Sequence, residues 1–228
     1  MQELKVNYLQ AEKKDAAAIL DFLIRHFFPN EPCTKALGLT AAQMRPIYAS
    51  LVERCLDFPF STIVCLDDGR IVGCLLNSIW TRDDVEGEGA DYDTEGDFES
   101  ENLAKFVGLL NNCHEDFWSL APRTCHVVLH REISCVAGAF QRRGIATSML
   151  AANLSRAKID EWAVDGVISE TSSYANQQLL LKQGFRCLKE IPYADVVDSQ
   201  GNRILKTDDG SEGLRLNLKL IGDYHIDY

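Results

Sequence analysis

Apolar and polar positions alternate over residues 4–9, a period of two that predicts a strand. Residues 15–27 carry Ala17, Ile19, Leu20, Leu23, Ile24 and Phe27 at helical spacing, so this stretch reads as a helix that stops at Phe28-Pro29. Thr40 stands where an N-cap would open a second helix reaching about Leu56. Two β-rich runs, 61–66 and 70–80, flank Asp67-Asp68-Gly69, an Asp-Gly hairpin turn. After a polar interval, 101–120 reads as a helix, 125–136 as a long apolar-rich strand, and 144–162 as a helix through Met149, Leu150, Leu154, Ala157 and Ile159. A strand at 165–170, a helix at 173–182 and strands at 185–191 and 213–221 complete the order. Such an order predicts a mixed sheet with helices on both faces, of the α/β or α+β class.

The chain has 228 residues, enough for one domain, expected to span 1–228, whose core needs no staples. No apolar run approaches the roughly 20 residues that span a bilayer, and the opening MQELKVNYLQ lacks a basic-then-apolar signal. A cytoplasmic location is expected. The eight cysteines contain no CxxC pair and fit neither a disulfide framework nor a zinc ribbon, so they read as small apolar residues. No metal site is expected. The net charge of −11 argues against nucleic acid or anionic membrane as partner and favours the approach of cationic substrates such as amines.

Ten acidic residues fall within 83–101, a density that predicts a solvated surface loop. Asp91-Tyr92-Asp93-Thr94-Glu95-Gly96 resembles the start of an EF-hand calcium loop, but Glu95 and Asn102 stand where that motif wants Asp or Asn and a bidentate Glu.

The chemistry-bearing stretch is 133–146. A strand ends at Val136, a short loop follows, and a helix starts near Gly144. Backbone N–H groups at such a turn converge at the positive end of a helix. Gly144 permits close approach of a ligand, while Gln141, Arg142 and Arg143 add donors and positive charge. The arrangement suits a pyrophosphate.

Gln141-Arg142-Arg143-Gly144-Ile145-Ala146 resembles the Q/R-x-x-G-x-G/A signature of GNAT acetyltransferases, and Val136 has the family's spacing to Gln141. Strand 167–170, helix 173–181 and Lys182-Gln183-Gly184-Phe185 resemble a second GNAT feature. The resemblance implies a single GNAT domain with a central mixed, mostly antiparallel twisted sheet, and acetyl-CoA as cosubstrate. It implies that the backbone of Cys135 and Val136 pairs with the pantetheine arm. The loop 141–147, that is Gln141, Arg142, Arg143, Gly144, Ile145, Ala146 and Thr147, would wrap the pyrophosphate. The Val136 amide would steady the oxyanion. Ser173 matches a position near the pantetheine. Leu180 occupies the family's usual tyrosine position, so the proton for the leaving thiolate must come from elsewhere.

His26-Phe27-Phe28-Pro29-Asn30-Glu31-Pro32, followed by Leu37-Gly38-Leu39, resembles the FF-x-D/N-E-P-L motif of invertebrate arylalkylamine N-acetyltransferases. That resemblance implies acetylation of amines of the dopamine, tyramine, octopamine, serotonin or tryptamine type. It makes Glu31 the expected general base, partly buried between the Phe pair and a Pro. Ser172 matches the first of two family serines, and Asn176 holds the place of the second. Phe28 is expected near the substrate. His130 and Glu132, two apart on one strand, share a face by period two and form a rival base. Two other functions compete: acetylation of polyamines or other small amines, and a non-catalytic acyl-CoA-binding module. A monomer or weak dimer is expected.

Overall fold

The computed structural model describes residues 5–83, 100–198 and 200–224. The strands are β1 (Asn7–Gln10), β2 (Thr62–Cys65), β3 (Ile71–Thr81), β4 (Val127–Val136), β5 (Gly166–Thr171), β6 (Arg186–Pro192) and β7 (Gly213–Leu220). They form a seven-stranded sheet in the order β1-β2-β3-β4-β5-β7-β6. Every pairing is antiparallel except β4 with β5.

That parallel pairing is short. It joins Val128, Leu129 and His130 to Gly166, Val167 and Ile168, and then the two strands part. From Arg131 to Val136, β4 keeps β3 on one side and, among the described residues, has no strand on the other. A cleft therefore opens in the middle of the sheet.

Neighbouring residues on a strand face opposite ways, and the apolar clusters follow that rule. Val128 and Ile168 join the core under the helices α1 (Ala16–Phe22), α3 (Ala41–Cys55) and α4 (Glu101–His114). Leu129 and Val167 instead pack with Leu150, Ile159, Leu180 and Phe185 on the opposite face, beside α7 (Arg156–Glu161) and α8 (Tyr174–Lys182). Val136, Ile145 and Met149 make a third cluster around α6 (Ile145–Met149). Among the described residues no helix is long and apolar enough to cross a membrane.

Three helices differ from the periodicity reading. The stretch 144–162 is two helices, because the chain between α6 and α7 is tied down by side chains. Arg131 donates to the Leu150 carbonyl at 2.6 Å, and Asn153 donates to Ser61 O and Thr62 Oγ1. Ser155 then N-caps α7. The helix expected over 101–120 divides likewise into α4 and α5 (Phe117–Leu120). The helix expected over 15–27 changes at Leu23–Phe27 to a π turn. All eight cysteines are free, and only Cys187 is exposed. Most of the acidic stretch 83–101, with its calcium-loop resemblance, lies outside the described residues.

Candidate active site

A β-bulge shapes the site. Leu76 pairs with Ile133 and Asn77 with Arg131, so Glu132 is an extra residue in β4. His130 and Glu132 do meet, with His130 Nδ1 at 3.1 Å from Glu132 Oε1. Beyond the bulge, however, the parity expected from period two is reversed. Ile133 and Cys135 now point to the face that Val128 occupies, and Val136 turns to the other.

The backbone orientation follows from the ladder. Ala137 N–H donates to Val72 O at 2.9 Å. Alternation along an antiparallel pair then makes Cys74–Cys135 a hydrogen-bonded pair and Gly73–Val136 a non-bonded one. Cys135 thus spends its amide and carbonyl on β3, which corrects the expectation that its backbone lies open to a ligand. The Val136 amide and carbonyl point into the cleft, and the carbonyl accepts from Gln141 Nε2 at 3.0 Å.

Beside this edge lies a cavity of about 200 Å³. Its wall brings together Glu31, Glu132, Cys135, Val136, Gln141, Ser172, Ser173 and Asn176 from separate parts of the chain. Apolar side chains, Phe27, Ile47, Leu51, Phe106, Leu110 and Leu214, make up much of the remainder. Phe28 does not line it. Phe27 does, while Phe28 packs partly buried against the core. A π turn adds a residue per turn to the helical phase just before this pair, which a strict 3.6-residue reading misses.

Glu31 is 4% exposed and is the N-cap of α2 (Pro32–Ala36). Its carboxylate accepts from Cys33 N at 3.2 Å and Thr34 N at 2.5 Å, so two amides fix its orientation. Ser172 accepts the Tyr193 hydroxyl on its carbonyl at 2.8 Å. Ser173 caps α8, its hydroxyl accepting from Asn176 N.

His130 lies behind the wall, 2% exposed. Burial opposes its charge, but Glu132 and Glu170 outweigh that cost and push its pKa up to about 10. A histidine that already holds its proton at neutral pH is not available as a base. Glu132 is bound by Arg54 at 2.9 Å and Ser78 at 2.7 Å. Burial alone would raise its pKa, yet His130 and Arg54 hold it down at about 2. The network continues from His130 Nε2 to Glu170, and His114 Nδ1 is 3.3 Å from the same carboxylate.

Tyr48 and Glu170 line the cavity too, and the sequence reading did not single them out. Tyr48 follows Met44 at helical spacing on α3 and reads as core; its hydroxyl is buried without a hydrogen-bond partner among the described residues. Glu170 had a signal: a carboxylate near the end of a buried strand that opens on Val167-Ile168.

The loop after Val136 makes a sharp turn into α6. Arg142 and Gly144 both adopt left-handed φ, 58° and 81°, and Gly144 opens α6. The amides of Ile145, Ala146 and Thr147 form the first turn and have no carbonyl a turn earlier to bond. An added Cβ at Gly144 would meet nothing within 4 Å, so the space above the loop is open. Arg143 is exposed beside it.

The sequence matches no protein-family model and no curated protein. Solved structures do match. Arylalkylamine N-acetyltransferase 2 from Aedes aegypti is 19% identical, with a TM-score of 0.81 over 95% of this chain and 99% of that one. The chain has the GNAT acetyltransferase fold. Drosophila melanogaster polyamine N-acetyltransferase, which forms N-acetylagmatine, is 15% identical, with a TM-score of 0.78 over 95% and 100% of the two chains. The C-terminal condensation domain of Ebony, solved with β-alanyl-dopamine, is 18% identical, with a TM-score of 0.72 over 96% and 100%. Leu180 is buried in the cluster on the face away from the cavity. Among the described residues no group of three His, Cys, Asp or Glu side chains is placed to hold a metal ion.

Proposed function

We propose that this protein is an acetyl-CoA-dependent N-acetyltransferase acting on a primary arylalkylamine. The observation that carries the reading is a buried, amide-anchored carboxylate, Glu31, on the wall of the cavity that also contains the cleft-facing Val136 edge.

The residues present suit acetyl-CoA. The unpaired side of β4 offers the Val136 amide and carbonyl to an extended chain. The turn at residues 141–147 offers first-turn amides, with Gln141, Arg142 and Arg143, to a pyrophosphate. Bound there, acetyl-CoA supplies an acetyl group as a thioester. The rest of the chemistry falls to this chain. An alkylammonium with a pKa near ~10.4 arrives protonated and needs a base before its nitrogen can attack. Glu31 takes that proton, directly or through a water, with Asn30 and Ser172 on the same wall. Val136 N–H donates to the acyl oxygen as negative charge grows there. Tyr48, with no hydrogen-bond partner among the described residues, is the hydroxyl nearest in kind to the proton donor missing at Leu180.

The apolar side chains of the cavity support an aromatic amine over a polyamine. Glu132 is already paired with Arg54 and His130, and Glu170 with His130, which leaves little carboxylate charge for a distal ammonium. The polyamine reading keeps one support, the fold likeness to the agmatine-acetylating enzyme. Release of free thiol from acetyl-CoA, measured with dopamine, tyramine, octopamine, tryptamine, serotonin, spermidine and agmatine, decides between them. Higher kcat/KM for spermidine or agmatine than for every arylalkylamine rejects the first reading. Acetyl-CoA binding without turnover of any amine points instead to a binding module.

A further inference from the structure

Glu170 stands on β5 two residues beyond its last pairing with β4 and reaches the cavity wall. Its side chain is 10% exposed. His130 Nε2 bonds one carboxylate oxygen. His114 Nδ1 lies 3.3 Å from the other, Oε1, which is buried without a hydrogen bond of good geometry. Trp80 packs on both imidazoles, with ring centroids 4.1 Å from His130 and 5.0 Å from His114. Three rings from three elements therefore fix this carboxylate at the wall.

The charges around it are balanced. Glu132 and Glu170 face Arg54 and His130, whose charge the two carboxylates retain. A second ammonium brought here would be a buried cation without a counter-charge, which is costly. A neutral O–H donor needs no counter-charge and can use a lone pair that the carboxylate still has.

We propose that Glu170 is a specificity-determining residue that accepts a hydrogen bond from a hydroxyl at the far end of the amine substrate. The cavity then prefers hydroxylated arylalkylamines to their deoxy counterparts. The inference rests on the amine-acetylation reading above.

The test compares kcat/KM for tyramine, phenethylamine and 4-methylphenethylamine in the wild type and in Glu170→Gln. A hydrogen bond to a charged group is worth roughly tenfold to a hundredfold, and tyramine should lead by that factor in the wild type. Glu170→Gln should bring the ratio near unity, tyramine turnover falling more than that of phenethylamine by the same factor. A folded Glu170→Gln that keeps the full preference overturns the proposal. So does a wild type that does not separate tyramine from 4-methylphenethylamine. If Glu170→Gln does not fold, Glu170→Asp keeps the charge but withdraws the carboxylate by one methylene, and the same loss of preference is required. A wild type that binds acetyl-CoA yet turns over no arylalkylamine overturns the parent reading itself.

Discussion

Glu31 caps α2, and in the proposed reaction it is also the base; the two roles can be separated. As an N-cap it satisfies two amides of α2, so Glu31→Ala should cost about 1 kcal/mol of stability. As a base it should matter far more to turnover. Glu31→Ala should lower kcat by about 10²–10⁴ with acetyl-CoA affinity nearly unchanged, read by steady-state kinetics and calorimetry. His130→Gln should lower kcat much less, because His130 is already protonated. The reverse ranking would move the base to β4. Tyr48 supplies a complementary case. A buried hydroxyl without a partner costs roughly 1–3 kcal/mol, so Tyr48→Phe should raise the unfolding free energy of the free protein. Amine turnover should fall in the same variant, since the hydroxyl finds its partner only when the cavity is filled. A variant that is less stable and fully active would rule this out.

At the scale of elements, the bulge at Glu132 joins β4 to a buried ion network, and that network makes stability depend on pH. The folded pKa of His130 is raised to about 10 from an unfolded value near ~6.5. Its contribution is therefore complete below about pH 6.5 and is lost as pH rises through about 10. Glu132 has the opposite sign. Held at about 2, it contributes above its ordinary 4.5 and loses that contribution as pH falls through about 2. The stability advantage of the wild type over His130→Gln should be flat between these ranges. It should then shrink between about pH 6.5 and 10, with a slope of at most ~1.4 kcal/mol per pH unit, as measured by denaturant unfolding. An advantage that stays constant to pH 10.5 would mean that His130 is not held charged.

For the whole molecule, the parting of β4 and β5 leaves a cleft, and any ligand that fills it links binding to folding. Acetyl-CoA at a hundred times its Kd should stabilise the protein by about 2.7 kcal/mol, seen as a raised Tm. Gly144→Asp should abolish that shift. It puts a side chain at a left-handed φ of 81° and a negative charge where the pyrophosphate would lie. An undiminished thermal shift in folded Gly144→Asp would remove the loop from the cosubstrate site.

Local chemistry settled much of this protein in advance. Period-two and helical patterns located the seven strands and, apart from the short α2, the helical stretches near their observed positions, because burial of one face imposes its period on the residues. The turn at 141–146 and the carboxylate at Glu31 were legible because each depends on a short run of neighbouring residues. Tertiary structure decided the rest. Only packing breaks the stretch 144–162, where Arg131 from another strand takes the Leu150 carbonyl. Only pairing across strands creates the bulge that reverses β4 and turns Cys135, rather than Val136, toward the helices that carry Glu31 and Tyr48. The partners of Glu170 come from 56 and 40 residues away, so no local pattern announces them. A site assembled from long-range contacts leaves no period in the sequence, because each contributing residue obeys the rules of its own element.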